Sequence, residues 1–255
     1  MGLILKRVFL RFYERYPREV MNLFGIYRGL WHYGRKFYCP CCGLHFRKFL
    51  PYGVKPRPNA QCPRCFSLET HRLVWLYLQE KTNIFKNNLK LLHIAPEYAF
   101  QKKLKHLPNL EYISADLKSP LAEIKMDITA IPYGDNLFNV ILCSHVLEHV
   151  PDDKQAMREL YRILKPGGWA ILQSALDPNL PDTLEATSSW TPQERALILG
   201  DRDHKRKYGL DYKRGLENAG FTVRTDNFVK RFSPKEISKY SLNPNEDIYI
   251  CTKTA

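Results

Sequence analysis

Apolar and basic positions alternate through the first 35 residues, with Leu5, Val8, Phe9 and Phe12 set against Lys6, Arg7, Arg11 and Arg15. That spacing predicts one or two amphipathic helices, broken up by Pro17, Gly25, Gly29 and Gly34. The periodicity then vanishes. YCPCCGLHFRKFLPYGVKPRPNAQCPRC is rich in Cys, Pro and aromatic residues and reads as a small β-rich knuckle module. Helical spacing returns in SLETHRLVWLYLQEK through Leu73, Val74, Leu76, Tyr77 and Leu78. Ser67 is the expected N-cap, and this helix links the module to the main domain.

From residue 88 short apolar runs alternate with helical stretches: LKLLHIA, EYAFQKKLKHL, EYISADL, FNVILCSHV, LEHVPDDKQAMRELYRILK, then a PGG turn and WAILQSAL. Such alternation predicts βαβ units and a parallel sheet covered on both faces. The helix after Pro151 sets Met157, Leu160, Tyr161 and Leu164 on one face, and Pro166, Gly167 and Gly168 are expected to stop it. A capping box from Thr191 to Glu194, a helix over DYKRGLENAG and strands over FTVRTDNF and DIYICTK complete the pattern. The expected organisation is a basic helical segment (1–36), a cysteine module (37–67), a linker helix (68–87) and an α/β domain (88–255).

With 255 residues, 44% of them apolar and 25% charged, the chain has a globular composition that excludes disorder and collagen-like repeats. No run approaches the roughly 18 apolar residues of a spanning helix. Lys6 and Arg7 interrupt the apolar start, no small-residue cleavage site follows, and Lys6 stands where a myristoylation motif needs Ser or Thr. A reducing, cytoplasmic setting is expected, with peripheral membrane contact allowed. Net charge is +13, and residues 1–60 hold twelve Lys or Arg against two Glu, so +10 of it sits at the front. That segment suits nucleic acid or an anionic membrane surface, and equally a solvated helix face.

Cys39, Cys42, Cys62 and Cys65 form two C-x2-C pairs separated by nineteen residues. Two such knuckles present four thiolates, the closed tetrahedral shell of a structural Zn²⁺ with no position left for chemistry. Cys41 is the spare, and Cys143 and Cys251 fall in apolar strand patterns.

The residues LLHIAPE, YISADL, MDITAIPYGDNLFNVILCSHVLEHVPDD and AMRELYRILKPGGWAILQ resemble the class I S-adenosylmethionine-dependent methyltransferases, in the branch whose core is similar to the ubiquinone-biosynthesis O-methyltransferases. With the cysteine module in front, the chain is similar to a bacterial group of zinc-ribbon-plus-methyltransferase proteins. The resemblance covers nearly everything after residue 36. It implies a Rossmann-like sheet of seven strands with helices on both faces, S-adenosylmethionine as cofactor, and a methyl acceptor.

By the same resemblance Asp116, with Leu117 beside it, meets the ribose diol at the switch point of the sheet. Asp127 accepts from the adenine amino group, Ile128 packs on the ring, and Ser144, at the end of the NVILC strand, is also expected at the cofactor. The first strand departs from the family, which writes an acid and then G-x-G-x-G; here His93, Ala95, Glu97 and Ala99 stand instead, and Pro96 removes a backbone donor. Glu97 is expected to supply the missing carboxylate toward the cofactor's amino group or sulfonium. The competing reading is a noncatalytic methyltransferase fold.

His145, Glu148 and His149 share the expected helix face after the NVILC strand. His145 is the general-base candidate and His204, in DRDHKRKYG, the second. The function expected is methyl transfer to an oxygen or nitrogen of a small molecule or glycan, with RNA methylation as the other enzymatic reading.

Overall fold

The computed structural model describes residues 16–254. The α/β half is built on seven strands: β5 (Leu89–Ile94), β6 (Leu110–Asp116), β7 (Ile124–Lys125), β8 (Phe138–Ser144), β9 (Leu164–Gln173), β10 (Thr222–Asp226) and β11 (Ile248–Thr252). They lie in the order β10-β11-β9-β8-β5-β6-β7, parallel except for β11, which runs antiparallel to both neighbours. The chain order reverses beside β5, so the carboxyl ends of β5 and β8 frame the crevice where an open α/β sheet takes its ligand.

Alternation along the central strands divides the core in two. Leu91, Val140, Leu142 and Ile171 face one layer with α2 (Glu69–Lys81) and α3 (Tyr98–Leu104). Leu92, Ile141, Cys143 and Leu172 face the other, with α4 (Asp153–Ile163) and α6 (Tyr212–Asn218). Helix α4 ends at Ile163, and the strand begins at once on Leu164. The PGG sequence therefore lies inside β9, with Gly167 at φ 74°, and does not terminate the helix from outside. The box on Thr191 caps α5 (Pro192–Leu199) as expected, whereas a second box, Ser233 with Glu236, starts the unforeseen α7 (Pro234–Tyr240).

The front half differs from the pattern of its sequence. Gly25 and Gly29 do not break a helix; α1 runs unbroken from Pro17 to Trp31 and buries both against Arg64. Their missing side chains let the helix approach the knuckle backbone. A Cβ on Gly25 would lie 2.2 Å from the Arg64 carbonyl oxygen. Gly25→Ala is accordingly expected to destabilise by about 1–3 kcal/mol, since overpacking outweighs the gain in helix propensity. A urea titration that shows Gly25→Ala as stable as the parent would refute that close approach.

The knuckles are formed by two hairpins, β1 (Tyr33–Cys39) with β2 (Leu44–Phe46) and β3 (Leu50–Tyr52) with β4 (Arg57–Gln61). Helix α2 is more than a linker. Leu73, Trp75, Tyr77 and Leu78 pack in the same cluster as Phe37 and Phe49 of the module and Leu91 and Val140 of the sheet. Arg72, fully buried, donates to the carbonyls of Ala60 and Ser67 on one side and of Tyr240 and Ser241 on the other. Such charge-assisted bonds in a dry interior tie the two halves together.

Candidate cofactor and metal sites

The Sγ atoms of Cys39, Cys42, Cys62 and Cys65 all lie within 4.8 Å of one another, with Cys39–Cys65 at 3.6 Å and Cys42–Cys62 at 3.8 Å. Tetrahedral Zn²⁺ with bonds of about 2.3 Å separates its sulfurs by about 3.8 Å, which the Cys39–Cys65 and Cys42–Cys62 separations match, so the four thiols suit that ion. Cys41 points elsewhere, its Sγ 3.7 Å from the His71 carbonyl. Ser67 does not cap α2. Its hydroxyl stands 3.3 Å from the sulfurs of Cys39 and Cys65, and Leu68 takes the cap position, its amide donating to His71 Nδ1.

At the carboxyl edge of the sheet, residues distant in sequence meet. His93, near the end of β5 and buried, bonds Glu97 Oε2 through Nε2 at 2.5 Å and the Tyr112 hydroxyl through Nδ1 at 2.9 Å. It therefore braces Glu97 from beneath instead of facing a ligand itself. Ala95 holds φ 47°, the left-handed conformation that the family's glycine supplies, so the turn survives the substitution at the cost of local strain. Glu97 is only 10% exposed at its side chain, and its second oxygen, Oε1, is buried without a hydrogen-bond partner. His71 Nε2, delivered by α2, is 3.9 Å from that oxygen.

Burial opposes the charge on Glu97, but interactions with His93 and His71 pull its carboxyl down to about 2. Burial pushes His71 down to about 4 against the attraction of Glu97, with His145 and Arg72 adding to the fall and Glu69 opposing it. His71 is thus neutral at physiological pH, and between pH 6.5 and 4 it takes up a proton on unfolding. Because its folded value lies below its unfolded one near 6.5, the stability that it confers is present above pH 6.5 and lost as pH falls toward 4. The parent protein is expected to lose up to about 3 kcal/mol more than His71→Asn across that window. Urea melts at a series of pH values check this; equal slopes would mean that the native protein already binds the proton.

His145 follows β8 at φ 55°, and Leu147–His149 is a single 3-10 turn, not the expected longer helix face. Glu148, fully buried, is the hub. It accepts from Ser174 Oγ at 2.6 Å and from the Ala175 amide at 3.0 Å, and pairs with His145 Nδ1 at 3.0 Å. Burial works against the imidazolium, yet Glu148, with smaller help from Glu246 and Glu97, more than compensates and raises His145; Glu148 itself is held at about 2. This pairing argues against His145 as a resting general base. Glu246 stands near by, bonded to Thr70, and burial raises its carboxyl.

Asp116 ends β6, its Oδ1 accepting from the amides of Lys118 and Ser119 at 2.6 Å each, which leaves Oδ2 without a hydrogen bond among the described residues. Leu117 beside it is exposed. Asp127 likewise spends Oδ1 on the Thr129 amide and hydroxyl. Ile128 is buried in the core with Met126 and Ile131, which leaves little of it for an adenine ring. Ser144 pairs with Gln173 at the strand ends. His204 does not serve as an open second base: it is buried, with Nδ1 on the Leu199 carbonyl at 2.9 Å and its ring 4.6 Å from that of His149. Sequence reasoning missed His71, Tyr112 and Glu246, whose only signal is proximity in the fold.

A methyltransferase-domain family profile matches residues 88–172. Among curated relatives, the ubiquinone/menaquinone biosynthesis C-methyltransferase UbiE of Brucella canis is 27% identical over 156 residues, 56% of this chain and 53% of the relative. The UbiE of Escherichia coli O1:K1 is 29% identical over 102 residues, 38% of this chain and 36% of the relative. The chain thus spans at most about half the length of the curated relatives that it matches. An S-adenosylmethionine-dependent methyltransferase from Mesorhizobium loti superposes with a TM-score of 0.50 at 14% identity, covering 70% of this chain and 96% of that one. The [4+2]-cyclase SpnF gives 0.53 at 13% identity, covering 82% and 89%. At that identity the likeness speaks for fold, and one of the two neighbours is named a cyclase. Strand order, switch point and family match agree: residues 88–172 match the methyltransferase-domain family, and the sheet that they build has the fold of these neighbours.

Proposed function

We propose that this chain binds S-adenosylmethionine across the carboxyl ends of β5 and β6 and transfers its methyl group to a small-molecule acceptor. The observation that carries the reading is the buried, unpartnered Oε1 of Glu97, a charged acceptor atom in the loop where the family's glycines lie. An orphaned carboxylate oxygen is costly unless a ligand completes it. Glu97 holds the amino group, Asp116 Oδ2 takes the ribose diol, and Asp127 takes the adenine amino group through its remaining oxygen. Bound, the cofactor supplies an electrophilic methyl on a sulfonium.

The acceptor atom differs from the expectation of oxygen or nitrogen. Glu148 holds His145 Nδ1 at 3.0 Å and raises its pKa, which disfavours the ring as a proton abstractor. The ring steadies an acceptor that arrives already anionic, the situation of an electron-rich carbon beside a phenolate or enolate. Carbon is also the atom named for the UbiE relatives. Positioning then carries most of the rate. The four cysteines would hold a structural Zn²⁺ that fixes the segment leading into α2, and α2 carries His71 to Glu97. Calorimetric titration of the zinc-loaded protein with S-adenosylhomocysteine tests the reading; no heat and no thermal shift at millimolar ligand would defeat it.

A further inference from the structure

Helix α1 is packed the wrong way round for a helix that only seals a core. Its small face, Gly25 and Gly29, is buried on Arg64, and its large apolar residues face out. Leu23, Tyr27 and Trp31 follow one another at i, i+4 and i+8, and Ile26 and Leu30 stand beside them, so one helix face carries all five. Leu30 is 74% exposed and Trp31 66%, and Tyr33, just past the helix, is equally open. A contiguous apolar face of this kind on a folded protein marks an interaction surface.

The rim is basic. Arg35, Lys36, Arg47 and Lys48 are exposed and stand in no ion pair among the described residues. The Arg47 amide donates to the His32 carbonyl, which places this charge at the carboxyl end of α1, beside Trp31. Ahead of the helix the sequence repeats the chemistry, with Leu3, Ile4, Leu5, Val8 and Phe9 among Lys6, Arg7 and Arg11.

We infer that this face docks on an anionic lipid bilayer, with the apolar residues at the acyl boundary, Tyr27, Trp31 and Tyr33 at headgroup level, and the basic rim on the lipid phosphates. An aliphatic and aromatic face ringed by Lys and Arg matches such an interface on both counts. A second copy would set the +10 of one front segment against that of another. Phosphate binding by RNA leaves Leu23, Ile26 and Leu30 unused. No helix among the described residues is long and apolar enough to cross the membrane, so the contact is lateral. The inference stands independently of the cofactor chemistry.

The test is co-sedimentation of the full chain with phosphatidylcholine vesicles, with and without phosphatidylglycerol. The parent is expected to bind the anionic vesicles in a salt-sensitive way, and Leu30→Glu/Trp31→Glu to bind roughly ten-fold more weakly. Arg35→Gln/Lys36→Gln should weaken binding and flatten its salt dependence. All four side chains are exposed, and unchanged circular dichroism confirms that the variants fold. Equal binding by parent and Leu30→Glu/Trp31→Glu overturns the inference, as does equal binding to neutral vesicles. It also fails if sedimentation shows a dimer that Leu30→Glu/Trp31→Glu abolishes, or if RNA of arbitrary sequence binds in the absence of any vesicle binding.

Discussion

Cys62→Ser is expected to strip the protein of zinc and of its folded state together. Structural Zn²⁺ on thiolates contributes an apparent 10–16 kcal/mol or so, as much as the whole net stability of a domain, about 5–15 kcal/mol. The module has two short hairpins and little core of its own apart from what it shares with α2 and the sheet. Losing one of four ligands therefore unsettles Arg72, Trp75 and Leu78 as well as the knuckles. Cys41→Ser is expected to change neither metal content nor melting by much, because its sulfur lies outside the four-thiol group and bonds the His71 carbonyl. Elemental analysis and circular dichroism on both variants decide the matter. Zinc retained by Cys62→Ser, or lost by Cys41→Ser, would show that the ligand set is another.

Two conservative substitutions at the sheet edge should weaken cofactor binding by the next largest amounts. Asp116→Asn keeps the oxygen that accepts from Lys118 and Ser119, so the turn persists, but replaces the free Oδ2 by a donor. A lost charge-assisted contact to the ribose costs about 1.5–3 kcal/mol, roughly ten- to a hundred-fold in affinity. Glu97→Gln retains the shape of the loop and removes the charge, with a loss of about ten-fold or more for the same reason. Calorimetric titration with S-adenosylhomocysteine measures both. Affinities unchanged in the pair would mean that these carboxylates serve only their turns.

The alternation of apolar strands and helices after residue 88 announced the sheet, because parallel strands buried on both faces leave a pattern that burial alone explains. Cysteine spacing was equally legible, since ligand geometry constrains neighbours close in sequence. What escaped depends on contacts across long stretches of chain. Gly25 and Gly29 look like helix breakers until Arg64 arrives to need the space. Ser67 has the chemistry of an N-cap and is diverted to the sulfurs of Cys39 and Cys65. Glu148 reads as one more polar residue at a helix start, yet receives Ser174 and the Ala175 amide from just past another strand. No local pattern joins His71 to Glu97 or Thr70 to Glu246, so the charged cluster at the sheet edge emerges only from tertiary packing.

The buried Arg72 has a bearing on how such a protein arises. Its guanidinium is satisfied by two backbone carbonyls of the cysteine module and two from the carboxyl-terminal segment, so either half can change side chains there but cannot shift its backbone without leaving a charge stranded in the interior. Recombination at the boundary near residue 88, which the sequence makes look natural, would separate partners that only work as a set. The knuckle and the α/β fold are therefore bound to keep their backbones in register, and a shift of the chain at Tyr240 or Ser241 is felt at Ala60.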